Sequence, residues 1–172
     1  LSLHFETIIK EHGGLLSRVA STYEANLSVR QELYQEICIA VWQSLKSFKH
    51  QSSIKTYILR VAHNRCITHV NKEANSFKSH TENDALEQAD KTLINHNGDI
   101  KSLETDLMQS QQLEQMLSFI RELKLPARQV ITLSLEGLAY DEIADITGLS
   151  KTNIGVMITR IRQQIKEQLA DA

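Results

Sequence analysis

A chain of 172 residues suits one or two small domains, and 41% hydrophobic content with six Gly, a single Pro and few aromatics leans towards an all-helical protein. No strand-like alternation of useful length, no apolar run near the roughly 20 residues that cross a bilayer and no signal-peptide pattern is read, so membrane insertion is not expected. The net charge of −2 is uneven: nine Lys/Arg meet six Asp/Glu in residues 1–75, three meet eight in 76–120, and seven meet seven in 121–172, so an acidic middle masks more basic ends.

Residues 3–23 have helical periodicity interrupted at Gly13-Gly14, which predicts two short helices or one kinked helix. Asn26 and Ser28 mark a turn. Over 29–48, Leu33, Ile37, Val41 and Leu45 recur four apart, with Cys38 and Trp42 widening the stripe, and this predicts a helix with Trp42 in the core. Residues 49–53 form a polar loop in which Ser52 or Ser53 can cap the next helix, expected over 54–71. Along that helix Tyr57, Arg60, Asn64, Thr68 and Asn71 share one face, and Ile54, Ile58, Val61 and Ala62 another. One charge, one aromatic and several hydrogen-bonding groups suit unpaired bases, although a solvated polar face would look the same.

Cys38 and Cys66 lie among apolar residues without zinc-binding spacing and read as buried thiols in a reducing cytoplasm. His63 and His69, six apart, fall on different helix faces, so no metal site or cofactor is expected. No nucleophile and base pair and no phosphate loop is recognisable, so the chain does not read as an enzyme.

Residues 76–100 lose periodicity and gather Ser, Thr, Asn, Asp and His, the composition of a linker. Periodicity resumes at Leu103, Leu107, Leu113, Met116, Leu117 and Ile120 and stops before Leu125-Pro126. Pro126 suits a first helical position, and the next helix should reach about residue 136. Beyond Gly137, a short helix over 140–146 with Ile143, Ala144 and Ile146 inward ends at Gly148. Ser150 then caps a second helix, and Ala144 marks their close crossing.

Ile154, Ile158, Ile161 and Ile165 hold that second helix inward. Lys151, Thr152, Asn153, Gly155, Val156, Thr159 and Arg160 face outward, with Arg162 and Lys166 farther along. This is the spacing of a helix-turn-helix. Its bases can hold phosphates while Asn153, Thr152 and Thr159 offer hydrogen bonds to base edges. An ordinary helical hairpin with a solvated basic side is the plainer alternative.

The stretch ELYQEICIAVWQSLKSFKHQSSIKTYILRVAHNRCI resembles region 2 of the extracytoplasmic-function (ECF) sigma factors of bacterial RNA polymerase, and LPARQVITLSLEGLAYDEIADITGLS resembles their region 4. The two cover about half the chain in the family's order. The resemblance implies an all-α protein of two small helical domains, residues 1–75 and 103–172, joined by a flexible acidic linker over 76–102. It implies that Glu32, Gln35 and Glu36 meet core RNA polymerase. It places Phe48, Lys49, Ser52, Ser53, Lys55 and Thr56 on a loop that captures a flipped minus-10 base, with Tyr57, Arg60 and Asn64 on the adjoining helix. Minus-35 DNA would meet Lys151, Thr152, Asn153, Gly155, Val156, Thr159, Arg160 and Arg162, and an anti-sigma protein is an expected partner. Gly155 and Met157 depart from the basic residues common there, and Ala139 replaces the usual capping Ser, a change that costs about 1 kcal/mol of helix stability.

A linker of about 25 residues has a relaxed span near 25 to 30 Å, whereas promoter elements about 25 base pairs apart are separated by some 85 Å. Core polymerase would have to hold both domains on DNA, and avidity would then make two weak contacts selective. A stand-alone dimeric helix-turn-helix regulator predicts tight binding to two-fold symmetric sites without polymerase, and a helical adaptor predicts protein partners alone.

Overall fold

The computed structural model describes residues 4–79 and 100–171, and all its regular structure among these is helical. An amino-terminal unit holds α1 (Phe5–Ser21), α2 (Leu27–Ser44) with a 3-10 turn (Leu45–Ser47), and α3 (Ile54–Ser79). A carboxy-terminal unit holds α4 (Ile100–Glu122), α5 (Leu125–Leu135), α6 (Tyr140–Thr147) and α7 (Lys151–Ala170).

Contrary to the expected break, α1 runs unbroken through Gly13-Gly14. Its buried face, with Leu16, Val19 and Ala20 wholly inaccessible, outweighs the helical cost of two glycines, about 1 kcal/mol each. Gly13 serves packing: a Cβ there would lie 3.2 Å from the Tyr34 hydroxyl, so bare backbone lets α2 approach.

The Asn26 side chain caps α2 by accepting from the Val29 amide at 3.1 Å, and Leu33, Ile37 and Val41 bury the expected stripe. Trp42 does not join them. It is 51% exposed, because α1 and α3 fill only one side of α2 and the wider stripe drawn through Cys38 and Trp42 turns out towards solvent.

Ser53 caps α3, accepting from the Thr56 amide at 3.1 Å. The helix continues to Ser79, past the expected end at Asn71. The exposed stretch from Lys72 to Phe77 needs no core, since extending a formed helix costs little for Lys, Glu and Ala. With α4 starting at Ile100, both ends of the expected linker are helical, and its residues 80–99 lie outside the described residues.

At the end of α5, Gly137 takes φ +84° and the Leu138 amide reaches back to the Leu133 carbonyl at 3.2 Å, a Schellman closure. Gly148, at φ +74°, ends α6, and the Ser150 hydroxyl caps α7 by accepting from the Asn153 amide at 3.2 Å.

The two units share one core. A continuous apolar cluster runs from Leu16, Ile37, Ile58 and Cys66 into Val130, Leu133, Leu138, Ile143, Ile154 and Ile158. A smaller cluster of Ile120, Ile131 and Ile161, flanked by Met116, Phe119 and Ile165, ties α4 to α5 and α7.

Candidate nucleic-acid interface

Three surfaces carry the residues singled out by sequence. On α2, Glu32 and Gln35 are exposed, while Glu36 is half-buried and pairs with Arg65 of α3 at 3.0 Å. Gln35 borders a shallow groove with Phe5, Tyr34, Cys38, Ile39 and Trp42. Ile39 and Trp42 are more than half exposed, and Lys46 lies 5.9 Å from the Trp42 ring. Sequence reasoning put Trp42 in the core and passed over Ile39. Their spacing of four and seven from Gln35 is the signal that could have joined them to the polar residues on this face.

The second surface is the loop and start of α3. Phe48 is half-buried, its ring 4.7 Å from Tyr57 and 4.5 Å from His50, which takes the left-handed backbone at φ +55°. The Tyr57 hydroxyl donates to the Ser44 carbonyl at 2.8 Å, so Tyr57 fastens the loop to α2 rather than lying free on a base-stacking face. Lys49 is exposed, and the half-buried Ser52 donates to the Ser53 carbonyl at 3.3 Å. Asn64 is exposed.

Lys55, Thr56 and Arg60 are engaged by the other unit. The Lys55 ammonium donates to the Glu136 carbonyl at 2.6 Å and Arg60 to the Asp145 carbonyl at 3.3 Å. Thr56, 2% exposed, donates to the Glu142 carboxylate at 2.9 Å. A carboxylate only accepts, so this assigns the Thr56 proton, and the Ser53 hydroxyl must then be the donor in its own 2.9 Å contact with Thr56. The other Glu142 oxygen accepts from the Ala139 amide at 2.8 Å, which is the glutamate half of a capping box whose serine half Ala139 cannot supply. The Glu136 carboxylate also accepts from two of the Arg18 guanidinium nitrogens, at 2.8 and 2.9 Å. Glu136 and Glu142 were not singled out from sequence, and nothing local marks them.

The third surface is the outer side of α7. Thr152, Asn153, Val156, Thr159, Arg160, Arg162 and Lys166 are exposed. Lys151 is exposed too but paired with Asp141 of α6, and Arg162 donates to the Ser134 hydroxyl at 3.2 Å. Gly155 departs from the expected reading face: it is half-buried, and a Cβ there would sit 3.4 Å from the Tyr140 ring, so it marks a close approach of α6 and α7.

Beneath α3, the Tyr23 hydroxyl meets His63 Nδ1 at 2.8 Å, and Arg128 of α5 lies 5.4 Å from the Tyr23 ring. Complete burial holds His63 near pKa 3, hence neutral, and burial pushes the Cys66 thiol up to about 12, so neither acts as a charged group near neutrality. Cys38, half-buried, is also shifted upward by burial. His69 stands between Glu24 at 3.0 Å and Glu73 at 3.5 Å, a set whose ligand atoms fall within 4.8 Å of one another; it reads as a hydrogen-bonded histidine, with a donor set that also suits a cation. No helix among the described residues is long and apolar enough to cross a membrane.

Residues 8–76 match the family model of sigma-70 region 2, and residues 113–165 match that of sigma-70 region 4. The chain is 25% identical over 158 residues to the ECF RNA polymerase sigma-E factor of Haemophilus influenzae, covering 91% of this chain and 80% of that protein. It is 22% identical over 149 residues to the RNA polymerase sigma factor YlaC of Bacillus subtilis, covering 84% and 79%. Among solved structures, the sigma factor RpoE bound to the anti-sigma factor NepR from Bartonella quintana shares the fold with a TM-score of 0.72 at 17% identity, over 96% of both chains. CnrH in complex with the cytosolic domain of CnrY gives 0.63 at 18% identity, over 98% of this chain and 89% of that one.

Proposed function

Given that this chain belongs to the sigma-70 family, as an RNA polymerase sigma factor of the extracytoplasmic-function group, we propose how its surfaces divide the work of initiation. Residues 1–75 bind core polymerase and the minus-10 element, 103–172 bind the minus-35 element, and 76–102 join them. The protein works in the cytoplasm as a non-enzymatic initiation factor, and an anti-sigma protein holds it in reserve, as the anti-sigma factor NepR accompanies the structural relative RpoE.

One observation supports this division: α3 and α7 both start at serine caps and carry polar and basic groups above a packed apolar underside, those of α7 facing solvent and those at the start of α3 facing the other unit. On α7, Lys151, Arg160 and Arg162 hold phosphates while Thr152, Asn153 and Thr159 reach base edges in duplex DNA, and the exposed Val156 offers an apolar contact to a thymine methyl. Gly155 contributes by letting α7 approach α6. On α3, Asn64 and Arg60, with the Lys49–Ser53 loop, take the extruded base, whose unstacking costs a few kcal/mol. Glu32, Gln35 and Glu36 face polymerase, with the apolar groove of Ile39 and Trp42 extending that contact.

Pull-down of core polymerase, followed by transcription from a promoter library, tests the assignment. Gln35→Ala or Glu36→Ala should weaken core binding about tenfold, whereas Arg60→Ala or Asn64→Ala should spare it and reduce promoter opening by a similar factor. The reverse pattern would refute the residue assignment. A purified chain that neither binds core polymerase nor redirects it would refute the division of labour itself.

A further inference from the structure

We propose that Glu24, His69 and Glu73 form a site for a divalent cation of the zinc class, which ties the turn after α1 to the carboxy-terminal half of α3. The site is independent of how the DNA surfaces are assigned. The two histidines weighed from sequence do go separate ways, His63 to Tyr23 and His69 to Glu24. Counting histidines misses that His69 has one carboxylate four residues on, at Glu73, and another 45 positions back, at Glu24. Residues four apart share a helix face, and that spacing lets one helix offer two ligands to a metal.

A single ring nitrogen, His69 Nε2, lies 3.0 Å from Glu24 Oε2 and 3.5 Å from Glu73 Oε1, and one ligand atom from each residue falls within 4.8 Å of the others. Zinc holds such atoms at about 2.0 to 2.2 Å in a tetrahedron, which sets them roughly 3.4 Å apart. The set therefore needs only a small closing movement, and Glu73, with 54% of its side chain exposed, has the room to make it. A hydrogen bond explains less of the arrangement. The one proton that Nε2 can carry serves Glu24, which leaves Glu73 without it.

Glu24 is held in position for this role. Its other oxygen, Oε1, accepts from the Asn26 amide at 2.8 Å, so Oε2 is the atom presented to His69. Arg30 grips the same turn through the Glu24 carbonyl at 2.8 Å and the Ala25 carbonyl at 3.0 Å. Its positive charge opposes a cation, but two carboxylates outweigh it. Outer bonds of this kind orient metal ligands and spare the site the cost of ordering them. The Glu24 and His69 side chains are 11% and 13% exposed, so little water competes for them, while the side of Glu73 is open for solvent to complete the coordination. One imidazole with two carboxylates suits zinc, nickel or cobalt better than magnesium or calcium, which prefer oxygen alone and more of it. A cation held there crosslinks turn and helix and adds its binding energy to the folding of the amino-terminal unit.

Calorimetric titration of the chelator-stripped full chain with zinc chloride tests the site. The wild type should bind one equivalent, weakened about tenfold or more in Glu73→Gln and lost in His69→Gln. Glu73→Gln alters an exposed side chain and should keep the metal-free unfolding midpoint, which separates lost binding from lost folding. Glu73→His exchanges one ligand for another and should bind at least as tightly as the wild type. In thermal unfolding, zinc at about 100 times its Kd should shift the folding constant about 100-fold for the wild type and Glu73→His, and far less for His69→Gln. Magnesium at the same concentration should shift none of them. No zinc uptake, or uptake that both Gln variants leave intact because it occurs at Cys38 or other histidines, would overturn the site. Magnesium bound as tightly as zinc would overturn the class of cation. Either result leaves the sigma assignment standing.

Discussion

The starts of α3 and α7 are built alike and placed differently. Each follows a serine whose hydroxyl accepts an amide three residues on, and each sets polar groups above buried apolar side chains. Around α7 the outward residues meet solvent, apart from local partners such as Asp141 and Ser134. Around α3 the equivalent groups meet Glu136, Glu142 and Asp145 from the other unit. Two helix starts of similar local chemistry can thus differ in availability, because availability is a property of what packs over them. The surface proposed to read duplex DNA is presented, while the one proposed for melted DNA is covered.

The comparison can be broken most severely from beneath. Ile154, fully buried under α7, should cost about 2 to 5 kcal/mol when replaced by Ala, through lost transfer energy and the cavity left behind. Denaturant unfolding of Ile154→Ala reads this directly, and because the cluster is continuous into the amino-terminal unit, α3 should lose its cover along with α7. An unfolding midpoint equal to the wild type would show that α7 is not anchored there.

Acid separates the two helices next. His63, on the buried side of α3, is held near pKa 3 by desolvation against an ordinary value of 6.5. The unfolded chain therefore binds the proton first. Its contribution to stability is fully present above about pH 6.5 and is lost at about 1.4 kcal/mol per pH unit as pH falls towards 3. Stability curves between pH 7 and 5, measured by urea unfolding at about half-unit steps, should show this slope flattened in His63→Gln. An unchanged slope would assign the acid sensitivity to other groups.

The smallest expected difference lies in the caps. Ser150→Ala should cost about 1 kcal/mol, and Ser53→Ala should cost somewhat more, because the Ser53 hydroxyl also donates to Thr56 within the chain that ends on Glu142. Thermal unfolding of the pair, with Glu142→Gln as a third background, shows whether the excess depends on the contact between units. Equal losses in every background would mean that Ser53 acts only as a cap.

Much of this protein was legible along the chain because its causes are local. Asn26, Ser53 and Ser150 act within one turn of the helices they start, the glycines at 137 and 148 supply the left-handed backbone that ends α5 and α6, and the isoleucines of α7 repeat at helical spacing. Such signals determined the helical class, the helix-turn-helix and the outward side of α7. The same signals misled where they count residues without seeing neighbours. Gly13-Gly14 reads as a break until α2 presses against it, Trp42 reads as core until α2 proves covered on one side only, and Gly155 reads as surface until Tyr140 lies over it.

What only the tertiary structure decided is which surface is free. Lys55 meets Glu136 across 81 positions, Arg60 meets Asp145 across 85, Thr56 meets Glu142 across 86, and Arg18 meets Glu136 across 118. Periodicity and capping act over one or two turns and carry no information at those separations. The sequence by itself determined two helix sets in the order of the two sigma-70 regions. Their docking against each other, which leaves one open and one closed, follows from long-range burial of a shared apolar core.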